Sequence, residues 1–156
     1  MAIDLTPYKL RLAALEKEGC TALGITSDAV GYFFHTQEGL PYWTNRTGEI
    51  DVDSNGEEID VYTVTVIGRL YLGHTTDEIT RGEVEQRLDT WVLALVEYFN
   101  ERELLQTAAY PDAPDDLTRF RVTAARGYTE FLPDGKIGTE FTYSLELERQ
   151  IVQAYN

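Results

Sequence analysis

Basic residues are scarce in this sequence, and cysteine is almost absent. Its 156 residues include 27 Asp and Glu but only 13 Lys and Arg, which gives a formal net charge of −14. Binding to nucleic acid phosphates needs clusters of Lys and Arg, so this balance argues against specific nucleic-acid binding. Cys20 is the only cysteine, which excludes an internal disulfide and a cysteine-rich zinc site.

Long apolar runs are missing as well. The longest are a few residues, far below the about 20 that a membrane-spanning helix needs. The first residues, MAIDLTPYKLRL, lack the basic-then-apolar order of a signal peptide. We therefore expect no membrane segment and a protein made in the cytosol. A hydrophobic content of 43% excludes a disordered acidic chain and suits one domain over residues 1–156.

Two stretches have the periodicity of amphipathic helices. Thr6 followed by Pro7 is typical of a helix start, and Gly19 of a helix end, which predicts a short helix over residues 7–18. Thr80 and Glu83 fit a capping box, which predicts a long helix over 81–104. The apolar stripe of that helix comprises Val84, Leu88, Trp91, Val92, Leu95 and Phe99.

The stretch from Glu49 to Asp60 is acidic at six of its twelve positions and basic at none. Its Asn55-Gly56 pair is the strongest short signal for a two-residue hairpin turn. That turn pairs like charges on one side of a hairpin over 49–62, which we expect to protrude, although like charges opposite each other are destabilising. We call this predicted group the acidic ladder, and it consists of Asp51, Asp53, Glu58 and Asp60. The opposite side carries Ile50, Val52, Ile59 and Val61.

The remaining strands complete the predicted fold. The first hairpin continues over residues 59–72, where Gly68 is expected to mark a bulge or bend. Residues 119–131 and 136–152 predict a second hairpin, whose last strand alternates apolar and polar residues. The fold class is α+β, a mostly antiparallel sheet of two long hairpins packed against one long and one short helix.

Two kinds of chemistry remain open. The spacing Asp51-x-Asp53-x-Asn55 matches the first half of a calcium loop, but Tyr62 replaces the glutamate expected at its twelfth position. A loosely bound divalent cation on the acidic ladder is the alternative, and no other cofactor is expected. The only candidate catalytic residues are His35, His74 and Cys20. Their spacing matches no catalytic motif, so we predict that the protein is not an enzyme.

The order of elements resembles the tail terminator (tail-completion) proteins of long-tailed bacteriophages. The resemblance covers most of the chain and rests on the segments TPYKLRLAALEKEG, DVYTVTVIGRLYL, GEVEQRLDTWVLALVEYF, VTAARGYTEF and GTEFTYSLELE. It implies a structural virion protein that forms a homo-hexameric ring at the tail–neck junction after assembly in the host cytoplasm. The implied partners are the tail-tube protein and a neck or head-completion protein, and DNA passes through the ring without specific binding.

The charge gives this resemblance a physical meaning. An acidic channel repels passing DNA phosphates, but screening limits the field to about 8–10 Å at physiological salt. The acidic ladder is therefore the candidate channel lining. It is alternatively a solvated hairpin face, or it contacts a neighbouring subunit's arginine strand. The candidate interface residues are Arg119, Arg121, Arg126, Tyr42 and Trp43.

Three other functions stay open at this point. A head-closure or neck protein and a tail-tube protein belong to the same broad class. A cytosolic domain that binds a ligand or a divalent cation belongs to another class, with the acidic ladder or Tyr42-Trp43 as its site.

Overall fold

The computed structural model describes residues 3–24, 29–30, 42–55, 59–74, 78–129 and 136–150. The two helices are α1 (Thr6–Ala22) and α2 (Glu78–Asn100). The five strands are β1 (Ala29–Val30), β2 (Tyr42–Asn55), β3 (Ile59–His74), β4 (Leu117–Thr129) and β5 (Lys136–Gln150). They form one sheet in the order β1-β2-β3-β5-β4, in which only β1 and β2 are parallel. The predicted α+β class with two long hairpins is confirmed.

Alternation along the strands divides the sheet into two faces. The apolar residues of β5 point toward the helices and are buried, as the alternation predicted: Phe141, Tyr143, Leu145 and Leu147. Their cross-strand partners on β3 are Gly68, Val66, Val64 and Tyr62. Both helices pack on this face and join one core cluster, to which they contribute Leu12, Leu15, Leu95 and Phe99. In the described part of the chain, neither helix is long and apolar enough to cross a membrane.

Helix α1 differs from its prediction at both ends. Leu5 is the residue before the helix, and the Thr6 N–H donates to Asp4 Oδ1 at 3.0 Å, so Thr6 is not the N-cap. Gly19 lies inside the helix, which ends at Ala22. Close packing explains the glycine, since a Cβ there would come within 3.1 Å of the Phe99 ring of α2. Gly24 follows two residues after the helix end, and its φ of 73° suits glycine.

Helix α2 confirms the predicted stripe but not the predicted start. Thr80 lies within the helix, which begins at Glu78, so the capping-box prediction is wrong. The helix ends at Asn100, four residues earlier than the predicted 104. Trp91 packs at the edge of the core, and the fully described part of the stripe is buried, namely Leu88, Val92, Leu95 and Phe99.

The β2–β3 hairpin forms, but its register differs from the prediction. Asn55 pairs with Ile59, so three residues, 56–58, connect the strands instead of a two-residue turn. The pairing of the strands is therefore shifted by an odd number of residues from the prediction. An odd shift moves every side chain of one strand to the other face. The observed register places Ile50 opposite Val64 on the helix side. Burial of Val64, at 2% exposure, explains why this register is preferred.

Candidate functional site

The observed register separates the predicted acidic ladder. Asp51 lies opposite Thr63 and Asp53 opposite Val61, on the sheet face away from the helices. Asp60 lies on the helix side, where Ser54 Oγ donates to its Oδ1 at 2.8 Å. The ladder prediction is therefore wrong for Asp60, and Glu58 lies outside the described residues.

The sheet face away from the helices is called the open face below. Within the described ranges, no helix or strand packs on it. Its centre is lined by small polar side chains on β3 and β5, including Thr63, Thr65, Thr142 and Ser144. Its charged residues are Arg46, Asp51, Asp53, Arg69, Arg119, Arg121, Arg126, Glu140, Glu146 and Glu148.

Opposite charges lie at the two sides of the open face. Asp51, Thr63, Glu146 and Arg119 form one row of cross-strand neighbours that runs from β2 to β4. Neighbouring strands are about 4.8 Å apart, so the first and last residues of this row are about 14 Å apart, too far for an ion pair. Among the described residues, Asp51 and Arg119 form no ion pair, and both are exposed.

The arginines of β4 differ in their contacts. Arg69 Nε and Arg126 Nε lie 2.5 and 3.2 Å from the two carboxylate oxygens of Glu140. Burial acts to raise the pKa of Glu140, but the two arginines outweigh it and hold that pKa below its ordinary value. Arg126 is thus bonded within its own sheet. Arg119 and Arg121 are exposed and have no ion pair in the described residues.

The edges of the sheet are closed to different extents. The N–H groups of Phe120 and Val122 on β4 donate to Glu103 O at 2.7 Å and to Asn100 Oδ1 at 2.8 Å. These bonds occupy backbone donors that could otherwise pair with another strand. Arg119 and Arg121 therefore offer side chains, not backbone, at this edge. On the outer edge of β2, opposite β3, no described strand pairs with the residues that follow Trp43.

Two of the other predicted site residues are buried. Trp43 is 0% exposed, and its ring lies 5.7 Å from that of Phe141, so its proposed interface role is wrong. Cys20 is also 0% exposed, and burial raises the pKa of its thiol to about 12, which leaves no reactive thiolate. Its enzymatic role has no support in this geometry.

The remaining candidates lie at the margin of what is described. Tyr42 and His74 are placed as strand residues at the ends of β2 and β3, but their side chains are outside the described set. His35 lies outside it altogether. Within the described residues, no group of three or more His, Cys, Asp or Glu side chains converges to hold a metal ion. Asp51, Asp53 and Asn55 share one strand, in which alternate residues are about 7 Å apart.

A buried polar cluster below α1 was not predicted. Glu16 is 0% exposed, Asn45 Nδ2 donates to its Oε1 at 2.6 Å, and the Tyr143 hydroxyl donates to its Oε2 at 2.8 Å. Burial raises the pKa of Glu16 to about 8, although these two hydrogen bonds act in the opposite direction. The signal in the sequence was the position of Glu16 one helical turn after Leu12, on the apolar side of α1.

Comparison with known proteins adds no relative. The sequence matches no family model, and no curated protein is significantly similar to it.

Proposed function

We propose that this protein is a structural virion subunit that assembles side by side into a closed ring and acts as a phage tail terminator. The observation that supports this proposal is the separation of charge on the open face. Asp51 and Asp53 are exposed near one side of the sheet, and Arg119 and Arg121 are exposed on the last strand at the other. All four side chains lie on the same face, as lateral contact between copies requires.

The strand directions suit such a contact. β2, β3, β5 and β4 alternate in direction, so β2 and β4 run in opposite directions. Two copies in the same orientation would therefore place β4 of one beside an antiparallel β2 of the next. The row from Asp51 to Arg119 would continue into the next copy, where Arg119 meets the neighbour's Asp51. Pairing of these charges would then occur only between chains.

This contact joins two different patches of the chain, so it is head to tail. Such contacts close into a ring when the rotation per subunit allows it and otherwise form filaments. The resemblance to tail terminators implies a hexamer. After this pairing the other charged residues of the open face balance, three arginines against three glutamates. The repulsion of DNA therefore rests on the chain as a whole, which carries a charge of −14. A ring of such chains would repel DNA phosphates and let DNA pass without binding.

Two other assemblies of the same class would fit such a contact. A tail-tube protein would stack its rings into long tubes, and a head-closure or neck protein would form a ring with other partners. The number of rings stacked in each assembled particle distinguishes a tube protein from a terminator.

One observation favours a ligand-binding domain as the second candidate. An apolar cleft of about 240 Å³ lies beside the hairpin and is lined by Ile3, Leu5, Ile50, Tyr62, Val64 and Leu147. Ile50 and Val52 near it are 49% and 58% exposed, which is unusual for large apolar side chains. Saturable binding of a small apolar molecule to a protein that stays monomeric would favour this function.

Negative-stain electron microscopy with sedimentation analysis tests the proposal. Purified protein is examined over a range of concentrations, in magnesium and in chelator, alone and with tail-tube protein. We expect closed rings with an opening of about 20 Å or more, since the major groove of duplex DNA alone is about 12 Å wide. Loss of the rings in chelator would mean that a cation links the acidic residues. Long tubes would indicate a tube protein, and monomers under every condition would contradict ring assembly.

A further inference from the structure

The buried cluster below α1 joins three elements of the fold at one carboxyl group. Glu16 belongs to α1, Asn45 to β2 and Tyr143 to β5. Gly68 of β3 lies against all three, because a Cβ at this position would come within 2.7 Å of Tyr143, 2.8 Å of Asn45 Oδ1 and 2.9 Å of Glu16 Oε2. The contact is closely packed, so a change in the charge or size of one member affects the others.

The two protonation states of Glu16 fit this site differently. As a carboxylate, Glu16 accepts one hydrogen bond on each oxygen, from Asn45 Nδ2 and from the Tyr143 hydroxyl. As a neutral acid, it carries one more proton, which competes with the tyrosine proton for the same contact. Hydrogen bonding therefore favours the charged form, whereas complete burial favours the neutral form. Asn45 Oδ1 is buried in the same cluster and has no partner among the described residues.

The groups that face Glu16 offer no compensating positive charge. From β5 comes Tyr143, whose own pKa is raised by burial and by Glu16. From α1 itself comes Cys20, whose pKa burial raises to about 12. β2 contributes Asn45, and β3 contributes the backbone of Gly68. Within the described residues, burial, Asn45 and Tyr143 account for the pKa of Glu16, and no arginine or lysine contributes.

Helix α2 also packs against α1, but its titratable group faces a different carboxylate. Tyr98 OH donates to Glu18 Oε1 at 2.6 Å, and Arg102 Nε lies 3.5 Å from the same oxygen. The Ala108 N–H donates to Glu18 Oε2 at 3.0 Å. These contacts also hold α1 in place, so undocking of α1 has to break them as well.

We propose that the Glu16–Asn45–Tyr143 cluster is a proton-dependent latch between α1 and the sheet. While Glu16 is protonated, α1 stays docked on the core. When Glu16 loses its proton, a negative charge is left in the core with two hydrogen bonds and no cation. Undocking of α1 hydrates that charge, so deprotonation favours the opened state. This inference does not depend on ring assembly.

Cys20 provides a reporter for the opening. It lies one helical turn after Glu16, is 0% exposed and is the only cysteine of the chain. The rate of its reaction with a thiol reagent is divided by the rate for the unfolded protein at the same pH, which removes the intrinsic titration of the thiol. The ratio reports the equilibrium between docked and opened α1. We expect it to rise roughly tenfold per pH unit, the slope for release of one proton on opening. The rise should begin near 4.5 and level off near 8.

Two variants and one control test the origin of this slope. In Glu16→Gln, the ratio should be independent of pH over this range, because the titrating group is gone. In Tyr143→Phe, the charged form loses one of its two donors, so the rise should continue above pH 8. Glu97→Gln removes an exposed carboxyl from α2 and should leave the wild-type profile unchanged.

Three results would overturn the latch. The first is a Glu16→Gln profile with the slope of the wild type. The second, which applies even if that variant fails to fold, is a Tyr143→Phe profile identical to that of the wild type. The third is a dependence of Cys20 labelling on urea as steep as that of global unfolding, because α1 would then not open separately.

Discussion

The hydroxyl of Tyr143 donates a hydrogen bond to Glu16 Oε2 across 127 positions of the sequence, at a distance of 2.8 Å. Both residues are 0% exposed, so the bond lies inside the core. Apolar contacts are non-directional, whereas a buried carboxyl has to keep its hydrogen-bond partners. The bond therefore fixes where α1 sits on β5, at the expense of an unfavourable burial of the carboxyl.

That burial predicts a dependence of stability on pH. The pKa of Glu16 is about 8 in the folded protein and 4.5 as a model value, so the folded state holds the proton more tightly. Its contribution to stability is complete below pH 4.5 and is lost as the pH rises to about 8. At about 1.4 kcal/mol per pH unit, the loss is on the order of 5 kcal/mol. Urea unfolding between pH 5 and 9 measures it.

The control for this prediction is Glu16→Gln, which should remove the decline. At lower pH the dependence of stability on pH has the opposite sign, because the pKa values of Glu18 and Glu140 are lowered in the folded protein. Their contributions are present above the unfolded pKa and are lost as the pH falls through the folded pKa. A wild-type stability that is level or increasing between pH 5 and 8 would show that Glu16 does not titrate in this way.

Gly68→Ala should destabilise the protein by about 1–3 kcal/mol, the usual cost of forcing extra volume into a packed core. The added methyl would lie 2.7 Å from a Tyr143 ring carbon and 2.8 Å from Asn45 Oδ1, closer than van der Waals contact. Gly48→Ala is the matched control, because a Cβ there has its nearest neighbour at 3.5 Å. The free energies of unfolding of both variants should be compared in urea, and equal values would contradict this account of Gly68.

The elements that the sequence predicted correctly are those that local pattern determines. The alternation from Phe141 to Leu147 and the stripe from Leu88 to Phe99 depend on residues only a few positions apart, and both are confirmed. Gly19 was misassigned as a helix end, because a glycine at this position is explained by its contact with the Phe99 ring on another helix. No local pattern reports that kind of contact.

The candidate site was less predictable than the fold. The prediction of the acidic ladder was wrong because the register of the β2–β3 hairpin depends on two things that its tip does not report. These are the length of the connecting loop and the burial of Val64, which lies outside the predicted hairpin of residues 49–62. Trp43 follows Pro41 and Tyr42 in a segment without clear periodicity, so its place in the core was hidden. Glu16 could be noticed on the apolar side of α1, but its partners Asn45 and Tyr143 are 29 and 127 positions away.

Glu140→Gln should lower the free energy of unfolding by about 1 kcal/mol, a value at the upper end for ion pairs near a surface. The carboxylate lies between Arg69 and Arg126, and its side chain is only 18% exposed, whereas the arginines are 40% and 61% exposed. The loss should shrink in high salt, because salt screens exposed charges. Glu148→Gln is the control, since that residue is exposed and has no ion pair in the described residues. An equal loss in both variants would contradict a specific role of the Glu140 pair.

The final prediction concerns charge reversal at the two sides of the open face. Arg119→Glu with Arg121→Glu makes both sides acidic, and Asp51→Arg with Asp53→Arg makes both sides basic. In a head-to-tail ring, each variant then places like charges at every contact, so neither should assemble at the concentration where the wild type forms rings. Mixing the two should restore rings, because every contact between unlike subunits again joins Asp or Glu to Arg.

The mixture also distinguishes specific pairing from an effect of net charge. Lys17→Glu changes the charge of an exposed position on α1 in the same direction as one of the arginine reversals and should leave assembly unchanged. Because unlike subunits have to alternate around the mixed ring, it must contain an even number of subunits, which a hexamer satisfies. Sedimentation velocity and electron microscopy would be applied to each variant and to the equimolar mixture. If either variant forms rings alone, or if the mixture stays unassembled while Lys17→Glu assembles, the pairing of Asp51 and Asp53 with Arg119 and Arg121 is wrong.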